Sequence, residues 1–485
     1  MLMDTLAEFT CSDPMIQTLY DQALSKCEQN IRLFGTTPVL VEGGGYNKIW
    51  LETQPMGGEM YALYRPDVAW NNIRLFMDTQ REDGRLPGSI QYLDGVLEPQ
   101  FNKFQGFCFP YPALQLLYLR GLKHQELMDL KHCLESWDAY LWRARDTRHH
   151  GVLESFCVYD TGEDACTRYG DAPNWWTEEH APEGLATVPM ASMDLMGWSC
   201  SAREALAHLC RLLNDPESDT WTRRAGEVRE TIRRRLWDES AGTCFDQDAD
   251  GKPIRIFSHN PLRCMYWGAF SQSMADRFVR EHLLNPREFW TPMPLPSIAV
   301  SDPAFRNAPE NNWSGQPEGL TYQRAILALE RYGYHELVPV LGRHLIRSIS
   351  ENGYLFTQQF DPFTGEPSRV GFTSHAPLGK DSNEPVQDAY GPTLLAVLEY
   401  LAHMYGIRPD LGQVSFSFLS GIAFTYHARF YGHDYRLESN GCEAFLSVDG
   451  HRILEHPCGY RIRTTMDGHI LSAIPLESIK KETPV

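Results

Sequence analysis

Apolar residues recur at three- and four-residue steps through most of the chain up to residue 406. Within residues 126–142, Leu127, Leu130, Leu134, Trp137 and Leu141 fall on one helical face, the pattern of an amphipathic segment packed on a core. Leu195, Trp198, Ala202, Leu206, Leu209 and Leu213 repeat it, and so do Leu394, Leu398, Leu401 and Tyr405. Between such segments lie long connections dense in Gly, Pro, Trp and acidic residues, at 41–66, 83–112, 159–188, 289–319 and 353–391. Connections of that length inside a compact domain usually carry function. Helices alternating with them predict a mainly α fold, a barrel of paired helices whose loops build a pocket on one side. After Pro409 the period changes to two: Val414, Phe416 and Phe418 alternate with polar residues, and Asn440-Gly441 and Asp449-Gly450 are hairpin turn signals. The expected organisation is a helical barrel over 1–408 and a small antiparallel β domain over 409–485, covering barrel hydrophobics.

Composition narrows the partners. A chain of 485 residues, 42% hydrophobic, can hold one large core and a smaller one. A net charge of −19 without any basic run argues against nucleic acid and anionic membranes, which need Lys and Arg to displace counterions. A small, neutral, polar substrate fits better, and a homo-oligomer remains open. The first thirty residues carry Asp4, Glu8 and Asp13 and have no basic head followed by an apolar stretch, so a cytoplasmic protein is expected. Twelve cysteines are scattered without a C-x-x-C pair, which reads as buried free thiols rather than disulfides or a zinc site.

The chemistry lies in the loops. Asp160-Thr161-Gly162-Glu163-Asp164 crowds three carboxylates ahead of Arg168 and Trp175-Trp176. Crowded carboxylates raise one another's pKa, so one can stay protonated as a general acid, and neighbouring tryptophans offer faces for sugar rings. Trp50-Leu51-Glu52 follows Gly43-Gly44-Gly45-Tyr46, and acidic groups return at Asp361, Glu366, Glu384 and Asp388. Glycosidases need two such groups, one to protonate the leaving oxygen and one to activate water or attack the anomeric carbon.

In these residues the chain resembles the helical-barrel glycosidases of glycoside hydrolase families 63 and 37, the α-glucosidases and trehalases, over roughly 40–405. The segment Gln80 to Pro87 is similar to the family's Q-R-E-D-G-x-x-P. Asp160 to Asp164 looks like its E-S-G-x-D, and Trp50-Leu51-Glu52 like its Trp-Asp dipeptide. Thr291 to Ser297 with Asp302 to Phe305 resembles its proline-rich loop, and Trp313-Ser314-Gly315 leading to Arg331-Tyr332-Gly333 its W-x-G and R-Y-G helix. The resemblance implies an (α/α)6 six-hairpin toroid and an inverting mechanism with Asp164 as general acid. It further implies that Glu52, Gln105, Arg168 and Asp388 hold sugar hydroxyls and that Trp50, Trp175 and Trp313 stack, with Asp160, Glu163 and Gln358 completing the substrate site. No cofactor or metal is required by this chemistry. One departure stands out: the family's general base falls at Gln358, and an amide cannot deprotonate water. Glu384, in a segment similar to the trehalase E-Y-P-L-Q-D, is the first candidate to replace it, followed by Glu366 and Glu318. A sugar phosphorylase, whose phosphate is its own nucleophile, and a catalytically silent sugar-binding protein remain as alternatives. Sugar, linkage, anomer and oligomeric state are open.

Overall fold

The computed structural model describes residues 6–105, 109–309, 312–368 and 388–477. Ten helices carry the architecture: α1 (Pro14–Gln29), α2 (Pro66–Asp78), α3 (Pro110–Leu119), α4 (His124–Arg145), α5 (Met193–Leu213), α6 (Ser218–Arg235), α7 (Asn260–Tyr266), α8 (Gly319–Glu330), α9 (Leu337–Glu351) and α10 (Gly391–Tyr405). They pack as neighbours in sequence and as pairs: α4 against α5, α5 against α6, α8 against α7 and α10, and α10 against α1 and α9. The apolar stripes are the packed faces. Leu130, Leu134, Trp137 and Leu141 of α4 and Leu195, Trp198, Ala202, Leu206 and Leu209 of α5 are all buried in one continuous core. Local chemistry fixes the ends. Asp13 caps α1 by accepting from the Met15 and Ile16 amides, with Pro14 in the first turn. Ser192 caps α5, which stops at Asn214 in the left-handed region, φ 54°.

The sheet domain contains β1 (Ala7–Cys11), β2 (Ile407–Asp410), β3 (Gln413–Phe418), β4 (Ala423–Phe430), β5 (His433–Asn440), β6 (Glu443–Val448), β7 (His451–Pro457), β8 (Tyr460–Thr465) and β9 (Ile470–Pro475). Two antiparallel sheets form, one in the order β1-β4-β5-β6-β7 and one in the order β2-β3-β8-β9. The turn Asp449-Gly450 joins β6 to β7 with both residues at positive φ, 50° and 77°, the geometry of a tight hairpin. β1 comes from the other end of the chain: Ala7 pairs with Ala428 and Cys11 with Phe424. The domain therefore takes in residues near the N-terminus as well as those from 407 onward, which the division at 408/409 does not describe. Among the described residues every cysteine is a free thiol, and no helix is long and apolar enough to cross a membrane.

The loops ahead of α7, α8 and α10 lie at one end of the helices. There a second buried cluster, which includes Val158, Cys166, Tyr169, Val188, Ile298 and Trp313, fastens the long loops to one another.

Candidate active site

At that end the loops enclose a pocket with the carboxyls of Glu42, Glu52 and Asp164, the aromatic rings of Tyr46, Trp50, Tyr159, Trp313 and Tyr390, and the amides of Gln105 and Gln358. Asp164 reaches it through a short 3-10 turn, Val158–Thr161, that Gly162 ends in the left-handed region at φ 67°. Glycine is required here on a second count: a Cβ at position 162 would lie 1.6 Å from Glu52 Oε2. The Asp164 loop is stitched to the Trp313 loop by the Trp313 amide donating to the Asp164 carbonyl at 2.9 Å and the Thr167 amide donating to Ser314 Oγ at 2.8 Å. The half-buried Asp164 side chain is thus held beside a buried indole.

Two more carboxyls, Glu52 and Glu42, line the same space, and a third, Glu318, is buried next to the lining residue Gln358 without lining the pocket itself. Gln105 Nε2 donates to Glu52 Oε1 at 3.2 Å, and burial, opposed by Arg324 and reinforced by Asp164, pushes Glu52 up to about 8. Glu42 accepts from the Tyr390 hydroxyl at 3.1 Å, and burial with the nearby Glu52 charge pushes it well above the ordinary carboxyl range. Glu318 sits at the start of α8 with 0% exposure; burial and the charge of Asp164 raise it well above the usual value, softened by the Gln358 and Gln359 amides. Gln358 in turn accepts from the Tyr46 hydroxyl at 3.3 Å, and its carbonyl receives the Gly319 amide at 2.9 Å, so the amide and Glu318 are immediate neighbours.

Beneath the pocket, charges are paired instead. Glu163 is ringed by Arg168, by Arg263 at 3.2 Å, by His259 at 3.2 Å and by the Asn260 amide at 3.1 Å. Burial works to raise it, yet Arg168 and Arg263 hold it well below the carboxylate range. Arg168 also grips Asp246. Asp160 binds Arg145 at 2.6 Å and the Phe156 amide at 2.6 Å. Asp160, Glu163 and Arg168, expected to touch the substrate, therefore brace the floor of the site, because buried charges without partners would be costly. Asp388 is likewise engaged, with Lys26 at 2.6 Å and the Phe356 and Ala389 amides.

Trp50, Glu52, Gln105, Asp164, Trp313 and Gln358 all line the pocket. Trp175 lies outside it, 53% exposed, with its ring stacked on Tyr159 at 6.4 Å. Glu366 is exposed on the turn that Asp361 caps, and does not line the pocket. Glu384 lies outside the described residues. Sequence reasoning missed Glu42, Tyr46 and Tyr390. The signal for the first was the carboxylate directly ahead of the Gly43-Gly44-Gly45 run: Gly43 lets loop 41–46 approach residue 389 so closely that a Cβ would meet the Ala389 carbonyl at 2.3 Å.

Comparisons with known proteins bear on the fold and the family. The chain is similar over its fold to the GH63 mannosylglycerate hydrolase of Thermus thermophilus, at 18% identity and TM-score 0.61, covering 78% of this chain and 99% of the other. It is similar to neutral trehalase Nth1 from Saccharomyces cerevisiae at 13% identity and TM-score 0.54, covering 76% and 74%. A sialidase matches at 13% identity and TM-score 0.72 over 95% of this chain and 41% of its own. At such identities these likenesses describe the fold, which is six-hairpin glycosidase-like with a C-terminal antiparallel sheet domain. The family profile described as the mannosylglycerate hydrolase MGH1-like glycoside hydrolase domain matches residues 59–377, well over half of the chain. The protein is a glycosidase and belongs to that family.

Proposed function

We propose that the protein hydrolyses a small glycoside with inversion at the anomeric carbon, on an (α/α)6 toroid, with Asp164 as general acid and Glu318 as general base. The observation that carries this reading is the neighbourhood of Gln358. Where the resemblance puts a base the chain has an amide, but a buried carboxyl, Glu318, lies against that amide and feels the charge of Asp164. Asp164 gives its proton to the glycosidic oxygen as the bond to the anomeric carbon breaks. Glu318, in the ionised form that its raised pKa confines to the more alkaline range, takes a proton from the water that attacks the opposite ring face, and the products are the inverted sugar and the free aglycone alcohol. Burial favours the neutral form of Glu42 and Glu52, which suits them to exchange hydrogen bonds with ring hydroxyls rather than to repel one another. Trp313 and Tyr159 supply apolar ring faces.

The test is hydrolysis of mannosylglycerate, the compound in the family's description, within a panel of disaccharides and aryl glycosides, with and without phosphate, the product anomer being followed by NMR. Glu318→Gln should abolish turnover, and azide should restore it by replacing the activated water, giving an azide product. Loss in Glu384→Gln with a functional Glu318→Gln would move the base to residue 384. Phosphate-dependent turnover would make the protein a phosphorylase, and tight sugar binding without turnover would make it a binding protein.

A further inference from the structure

The barrel and the sheet domain enclose a second cavity of about 350 Å³, at the far end of the elements that build the active site. α8 begins beside Glu318 and delivers Glu330 to this cavity, roughly 18 Å along the helix axis. α10 begins after Tyr390, which lines the catalytic pocket, and brings Glu399 and His403 here. The segment that starts at Trp50 and Glu52 arrives at Glu59. The sheet domain supplies Arg408 from β2 and Arg461 from β8.

Charge in this cavity is balanced within the protein. Arg408 lies 2.8 Å from Glu399 and 3.3 Å from Glu59. His403 lies between Glu330 at 2.8 Å and Glu399 at 3.0 Å, and Arg461 donates to Glu330. At the half-exposed mouth, Arg463 pairs with Asp410 at 2.9 Å and Arg331 with Glu204 at 2.8 Å. Against the effect of burial, Glu330 and Glu399 favour the charged form of His403, so that His403, Arg408 and Arg461 face Glu330, Glu399 and a Glu59 that burial pushes up to about 7. A ligand with net charge would upset that balance, and a buried unpaired charge is costly.

Individual polar atoms, however, are left over. Glu399 and Arg408 are each more than nine-tenths buried, and Glu399 Oε2, Arg408 Nε and His335 Nδ1 make no hydrogen bond to the described residues. Buried polar atoms are nearly always satisfied, because leaving one without a partner is unfavourable. Glu399 needs a donor and Arg408 an acceptor, and a hydroxyl can be either. The volume falls in the range of small-molecule sites, and Tyr111 and Tyr266 add rings to the wall.

We propose that this interdomain cavity binds a neutral polyhydroxylated molecule, a free sugar or polyol, at a site separate from the catalytic pocket. Neither thermal stability nor ligand density in a crystal depends on turnover, so this site can fail while hydrolysis stands. Ser415, on the cavity wall, is the place to fill: Ser415→Leu projects an apolar side chain into it. The probe is myo-inositol, which is neutral, rigid and has no anomeric carbon. General osmolyte stabilisation and any binding in the catalytic pocket affect both proteins alike. An excess rise in Tm of about 2 °C or more in the wild type over Ser415→Leu is therefore the expected result, with no such excess from citrate or glycine betaine. Equal shifts in both proteins would overturn the proposal. Crystals of the wild type soaked in myo-inositol provide a second test that does not depend on the variant folding. A ring bonded to Glu399 Oε2 and Arg408 Nε supports the site, and ordered water alone in the cavity refutes it.

Discussion

Glu163 and Asp164 are adjacent in sequence and opposite in circumstance. Glu163 points into a floor where Arg168, Arg263, His259 and Asn260 surround it, and the two arginines hold it ionised. Asp164 faces a pocket whose other carboxyls, Glu42 and Glu52, are raised by burial and by neighbouring acidic charge, as is the buried Glu318 next to Gln358. The difference is the supply of buried cations. Where each acid has an arginine, it becomes part of the scaffold. Where acids outnumber cations in a partly apolar pocket, protons stay near neutral pH and can be moved.

The largest expected effect separates the two neighbours. Asp164→Asn should slow hydrolysis of an unactivated glycoside by at least ~100-fold, the scale of general acid catalysis, with its melting temperature unchanged. A variant with near-normal turnover would mean that the proton comes from another group. Glu163→Gln should do the reverse, because it leaves Arg168 and Arg263 with less opposing charge in a buried network. Breaking such a pair costs about 3–5 kcal/mol, readable as a fall in denaturation midpoint. If its stability is normal and only the Michaelis constant rises, Glu163 belongs to the substrate site after all.

A third test uses pH. Glu52 titrates at about 8 in the fold against 4.5 for the ordinary carboxyl, so folding favours its neutral form. The stability this contributes is complete below about 4.5 and is lost as pH rises through about 8. Melting temperatures from pH 5 to 9 should therefore fall more steeply for the wild type than for Glu52→Gln, which has nothing to ionise there. Parallel curves would place Glu52 in a wetter setting than its burial implies. The smallest effect is expected at Glu366. Exposed on its turn, it should tolerate Glu366→Gln with activity within about 2-fold and stability within about 0.5 kcal/mol. A kinetic collapse there would return it to the candidate bases.

Much of the scaffold was legible because its signals are local. The stripe Leu130, Leu134, Trp137 and Leu141 names its own buried face, and Asp449-Gly450 names its own turn. β1 was not legible, since its five residues gain strand identity only by pairing with Ala423–Phe430. The site divides in the same way. Trp50, Glu52, Asp164, Trp313 and Gln358 could be carried over from motifs, and they and Gln105 reach the pocket. The motif could not tell Glu163 from a sugar ligand, because the partners that neutralise it or its arginine, His259, Arg263 and Asp246, enter some eighty to a hundred residues later. Glu42 and Tyr390 meet although 348 positions separate them in the chain, a proximity that no local pattern encodes.

The pairing of β1 with β4 also sets an order of events during biosynthesis. Residues 7–11 leave the ribosome early, but their partner strand, 423–430, is more than four hundred residues away. At the usual pace of translation, β1 waits on the order of 20–80 s before its register can exist. Helices such as α4 and α5 can form and dock during that interval, whereas the sheet domain cannot be finished by any portion of the chain made before it. Its closure must await β4, whose edge stays open to another nascent chain until β1 pairs with it.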